Sequence, residues 1–202
     1  MRRVLFWGTV FVVLVVLAAL FFVRGSGIST RRTPFIGEER LARAGWRFLV
    51  PRDVRDAVNP VADTPEVRRV ALEHFADHCA ICHANNGSGD TIIGRRTYPA
   101  APDMRARRTQ DLTDGELFYA IEQGIPWTAM PGWSTGTPEG ERDSWVLVRF
   151  IRRLRDLTPA ELEEMEKLNP KSPAEIERDR EIDEFLRGTA SPVPKKGGHV
   201  HK

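Results

Sequence analysis

Residues 79–83 read Cys79-Ala80-Ile81-Cys82-His83 and contain the only two cysteines of the 202-residue chain. Two thiols three residues apart at a helix end can each bond one vinyl group of the same porphyrin. The adjacent imidazole is then carried to the iron. This C-x-x-C-H spacing is the pattern of covalent c-type haem attachment. Two cysteines exclude a multi-disulfide scaffold and a four-cysteine zinc or iron–sulfur site. A bare C-x-x-C also serves as a thiol redox pair or half of a zinc site. A zinc site needs two more ligands, and His74, His78 and His83 are close in sequence. A thioredoxin-like site needs a β-α-β pattern, whereas these flanks read as helix and loop.

Upstream of the motif, Thr64 caps a helix and Pro65 takes its first position. Val67, Val70, Ala71 and Phe75 follow near a helical period, and Cys79 is predicted to close that helix. Residues 24–64, with Pro34, Pro51 and Pro60, read as a linker. Its Leu41, Trp46, Phe48 and Leu49 are expected to pack on the domain or to sit at a membrane interface. Downstream, residues 84–111 are rich in Gly, Asn and Pro and read as loop. Thr113-Asp114-Gly115-Glu116 has capping-box form and opens a helix that Gly124 ends. After an irregular stretch from Ile125 to Gly140, a helix is predicted from about Arg142 to Leu154, with Leu147, Phe150, Ile151 and Leu154 on one face. Thr158-Pro159-Ala160-Glu161 and Ser172-Pro173-Ala174-Glu175 each cap a further short helix. Residues 158–187 carry ten acids and five bases. Residues 189–202 read as a disordered tail, in which His199 and His201 are either a weak copper or nickel site or inert.

The N-terminus sets the compartment. Val4 to Val23 is an uncharged apolar run of 20 residues, about 30 Å as a helix, which matches a bilayer's hydrocarbon core. Arg2 and Arg3 before it place residues 1–3 in the cytoplasm by the positive-inside bias. The competing reading, a cleaved signal peptide, has a shorter apolar region. Of 83 hydrophobic residues, 19 fall within residues 1–23; the remaining 179 residues hold 64, thin for a self-sufficient core. A porphyrin would fill such an interior. A net charge of +2 lacks the basic excess of a nucleic-acid binder. Residues 91–110 hold five arginines against one acid, and either steer an acidic partner or form a solvated loop.

A sixth iron ligand is sought among the methionines. Met130 lies 47 residues after His83, in a Pro-rich loop, with enough chain to reach the opposite face. Met104, 21 residues after His83, is the rival and reads better as an apolar packer. Without either methionine, the iron would be five-coordinate or would take a histidine.

Residues 66–154 resemble the class I cytochrome c domain in a membrane-anchored bacterial form. The resemblance rests on the helix entering Cys79-Ala80-Ile81-Cys82-His83, a Gly-rich loop, the Leu112–Gly124 helix, the Met130-Pro131 loop and a C-terminal helix. It implies an all-α fold: a small helical domain around one covalent haem c, preceded by a single transmembrane helix and followed by short acidic helices. The expected organisation is 1–3 cytoplasmic, 4–23 transmembrane, 24–64 linker, 65–155 cytochrome domain, 156–188 helical extension and 189–202 tail. The resemblance implies Cys79 and Cys82 as porphyrin attachments, with His83 and Met130 on the iron. It implies that His83 donates its free N–H to the carbonyl of Pro99 or Pro102. Trp133, Tyr98 and Arg95 or Arg96 are candidates to bond the haem propionates. The expected function is an electron carrier, not an enzyme, tethered to the bacterial inner membrane and facing the periplasm. It would pass single electrons between protein partners, with membership of a respiratory complex open and the acidic helices as a docking element. A competing function is that of a haem sensor or catalytic haem protein with an open distal position.

Overall fold

The structure, a computed structural model, describes residues 2–26, 29–30, 32–35 and 37–170, and beyond them Glu177, Arg178, Arg180, Glu181, Ile182, Glu184 and Arg187. The described residues form helices and loops, with no strand among them. Nine α-helices follow one another among them: α1 Arg2–Ser26, α2 Glu38–Leu49, α3 Arg52–Arg55, α4 Pro65–His74, α5 Ala80–His83, α6 Arg107–Gln110, α7 Asp114–Gln123, α8 Pro138–Arg153 and α9 Pro159–Leu168. A π-helical turn, Phe75–Cys79, joins α4 to α5. The cap and tail expected at 172–202 lie outside the described residues, apart from the seven named above.

The core is the seam where α4 crosses α8, with α7 against the other flank of α8. Phe75 meets Phe150 at 4.6 Å between ring centroids, and Phe118 stacks on Trp145 at 4.2 Å. Local chemistry explains where the helices start. Thr64 accepts from the Val67 N–H, Thr113 and Glu116 form a complete capping box, and so do Thr158 and Glu161. Helix α8 begins four residues before the predicted Arg142, because Thr137 caps it and Pro138 occupies its first turn.

Two segments expected outside the domain pack against it. The stretch read as a linker up to residue 64 holds α2 and α3, and its last part is core. Val50 and Val61 are buried, and the buried Asn59 donates through Nδ2 to the Trp145 carbonyl at 2.9 Å. The acidic helix α9, taken as lying beyond the domain, packs on α4 and on the π turn with Met165 fully buried. Both segments lack a long apolar period, so only their tertiary partners reveal that they belong to the core.

Candidate haem-attachment site

The helix expected to close at Cys79 continues to His83, through a change of winding. The π turn over Phe75–Cys79 inserts a wider loop of backbone and buries Phe75 and Ala76, and α5 carries Cys82 and His83 one turn further. Such turns are uncommon inside helices and occur often at functional sites. Ala84 then takes φ +60°, a backbone conformation rare for a residue with a side chain, and ends the helix.

The loop after the motif folds back and grips it. The Gly89 N–H donates to the His83 carbonyl at 2.8 Å, and Thr91 Oγ1 donates to the Cys82 carbonyl at 3.3 Å. Gly94 approaches that Cys82 oxygen so closely that a Cβ would lie 2.2 Å from it. The orphan carbonyls at the end of α5 are thereby satisfied, and the thiol-bearing turn is held from one side.

Cys79 and Cys82 are free thiols, both half-buried. Burial, and secondarily the neighbouring Cys82, pushes the Cys79 thiol up to about 12. A thiol disulfide exchanger needs its nucleophile lowered, so this environment opposes the thiol redox reading. Among the described residues no three His, Cys, Asp or Glu side chains converge as a metal site. His74 and His78 instead stack edge to face at 5.0 Å. Burial lowers the His83 pKa, holding the imidazole neutral, the form that ligates a metal. Its Nδ1 is buried with no hydrogen-bond partner. The bond expected from His83 to Pro99 or Pro102 is therefore not made through Nδ1, and the Pro99 carbonyl accepts from Thr97 Oγ1 at 3.0 Å.

Met130 and Met104 occupy contrasting places. Met104 is buried in the core, its N–H donating to the Gly87 carbonyl at 2.8 Å. Met130 is half-buried in a loop closed on itself. The Ile125 N–H donates to the Met130 carbonyl at 3.1 Å, and the Met130 N–H to Thr128 Oγ1 at 3.1 Å. Gly124, at φ +69°, lies against the Pro131 and Gly132 backbone, where a Cβ would sit 2.6 Å away. The Trp133 N–H donates to the Ile121 carbonyl at 2.9 Å, pinning the loop to α7. The Trp133 ring then meets His78, the residue before Cys79, edge to face at 5.8 Å. This contact brings the Met130 loop beside the cysteine turn. Nothing in the sequence signals it, because 55 positions separate the two rings.

Two of the propionate candidates have other partners: Tyr98 donates its hydroxyl to Glu38, and Arg95 pairs with Asp90. Arg105, Arg107 and Arg108 pair with Asp103, Asp111 and Glu39. The basic loop is thus largely neutralised within the molecule, which weakens it as a steering surface.

The residues present fit a covalent porphyrin: two unpaired thiols a helical turn apart, a neutral imidazole beside them, and an adjoining loop with a half-exposed thioether. Residues 69–151 match the family model described as cytochrome C oxidase, cbb3-type, subunit III. No curated protein matches the chain.

Proposed function

We infer that the chain, which carries a class I c-type cytochrome domain over residues 69–151, is a membrane-tethered monohaem electron carrier serving a respiratory oxidase or a similar complex. The observation that carries the reading is the turn itself: Cys79 and Cys82 unpaired on one face, with neutral His83 at its end. When bound, a haem there supplies a one-electron ferric–ferrous couple. Cys79 and Cys82 would hold the porphyrin through their sulfurs, His83 would ligate the iron, and Met130 would offer a thioether as a second ligand. A thioether ligand raises the potential. The hydrogen bonds at the Met130 N–H and carbonyl would steady the loop that carries the thioether, which suits electron transfer without substrate chemistry.

Helix α1 is the tether. It is the one described helix long and apolar enough to cross a membrane. By the arginines before it, the cytochrome domain faces the periplasm of a bacterial inner membrane. Partners are protein donors and acceptors at that surface.

The test is an absorption spectrum of membrane-extracted protein, oxidised and reduced, with and without carbon monoxide, together with intact mass. A haem mass retained after denaturation and no carbon monoxide shift is expected. Colourless protein with two alkylatable thiols would refute the reading. A ready carbon monoxide shift would favour a sensor or catalytic haem protein instead.

A further inference from the structure

Helix α2 is amphipathic in the reverse sense to a helix on a soluble domain, which turns its apolar stripe inward. Its charged residues dock, together with Trp46, whose ring lies 6.4 Å from that of Tyr119. Arg47 grips the fully buried Glu116 through two bonds, Nε to Oε1 at 2.7 Å and Nη2 to Oε2 at 3.1 Å. Arg43 donates to the Arg108 carbonyl, Glu39 pairs with Arg108 at 2.6 Å, and Glu38 accepts from Tyr98. Its apolar face points away from the protein: Leu41 is 75% exposed, Phe48 85% and Leu49 70%. These three, spaced i, i+7 and i+8, share one face of the helix. Exposed Arg40 lies on the helix and exposed Arg52 just beyond it.

Chain length says what covers this face. Eleven residues separate the end of α1 at Ser26 from Glu38. Fully extended they reach at most about 40 Å, so an anchored chain keeps α2 within that distance of the bilayer. A rigidly docked helix with an apolar stripe and flanking arginines, held there, has the composition of an interfacial helix.

We propose that α2 lies in the membrane surface, with Leu41, Phe48 and Leu49 among the acyl chains, and thereby sets the orientation of the cytochrome domain to the bilayer. The inference rests on the reading of α1 as the anchor. It makes the tether a two-point attachment, because the ion pairs on the inner face of α2 transmit its orientation to α7.

The test uses the full chain in vesicles of phosphatidylcholine and phosphatidylglycerol. The photo-crosslinking residue p-benzoylphenylalanine replaces Phe48, Phe11 of α1 or Val58, one per variant. Val58 is equally exposed but lies beyond α2. Each variant must keep the parent's circular dichroism. Lipid adducts at positions 11 and 48, lost at 58, are expected. Adducts at 11 alone would leave the anchor standing and overturn the inference for α2. Adducts at neither position would sink the anchor reading and the inference with it. Equal labelling at 58, or crosslinks from 48 to protein in place of lipid, would also overturn it; the protein crosslinks would assign the stripe to a second copy or a subunit.

Discussion

Met130 and Met104 carry the same side chain into different surroundings, and the difference can be measured. Truncating Met104 leaves a cavity in a packed core, so Met104→Ala should cost about 2–5 kcal/mol of stability and leave the visible spectrum unchanged. Met130→Ala removes no core contact and should cost little stability. It should instead open the iron to carbon monoxide and lower the potential by a sizeable part of the roughly 0.8 V that axial ligands span. Spectra and redox titrations of the two variants check both outcomes. Reversed results would transfer the distal role to Met104. The C-x-x-C-H spacing was legible in the sequence, and so was Met104 as an apolar packer. The lowered pKa of His83 was not, since the burial that causes it depends on residues far along the chain.

Helix ends and close approaches decide what happens at the next scale. Gly115, in the first turn of α7, sits so near the segment around α3 that a Cβ would lie 1.8 Å from the Val54 carbonyl oxygen. Gly115→Ala should push that strap away at about 1–3 kcal/mol, seen as a fall in the midpoint of thermal unfolding. Glu161 offers a pH-dependent prediction. Burial acts to raise its pKa, but the Thr158 N–H, Arg153 and the Thr158 hydroxyl outweigh it and hold the group below its ordinary 4.5. A depressed carboxylate stabilises the fold fully above the ordinary value, and that contribution is lost as the pH falls through the folded value. Glu161→Gln should therefore lower stability by about 1 kcal/mol near neutrality. Thermal midpoints of parent and variant should converge in acid; a difference independent of pH would refute the assignment. The capping boxes at Thr113 and Thr158 were readable from sequence because they are local. The π turn before Cys79 was not: tertiary packing of Phe75 and Ala76 sets its winding.

For the whole molecule, the C-terminal helix decides how large the cytochrome unit is. Met165 is fully buried, and Asn169 closes the end of α9 onto the segments that flank the motif. With its amide turned so that the NH2 faces acceptors, Asn169 donates to the Ala76 carbonyl at 3.1 Å and to Asn85 Oδ1 at 2.8 Å. Asn85 lies two residues after His83, so α9 braces the π turn and the loop behind the imidazole together. Met165→Ala should cost about 2–5 kcal/mol, and a chain ending before Thr158 should retain less haem when expressed. Equal haem loading in the shortened chain, measured by absorbance per protein, would show that α9 is dispensable. What the sequence determined by itself was the chemistry: two thiols and an imidazole at fixed spacing, an apolar run as long as a bilayer is thick, and helix caps written within four residues. What only the tertiary structure decided was membership and direction. It drew the strap and α9 into the core, neutralised the arginine loop and turned the apolar face of α2 outward. Those outcomes depend on which distant surfaces meet, and no local pattern of residues encodes that.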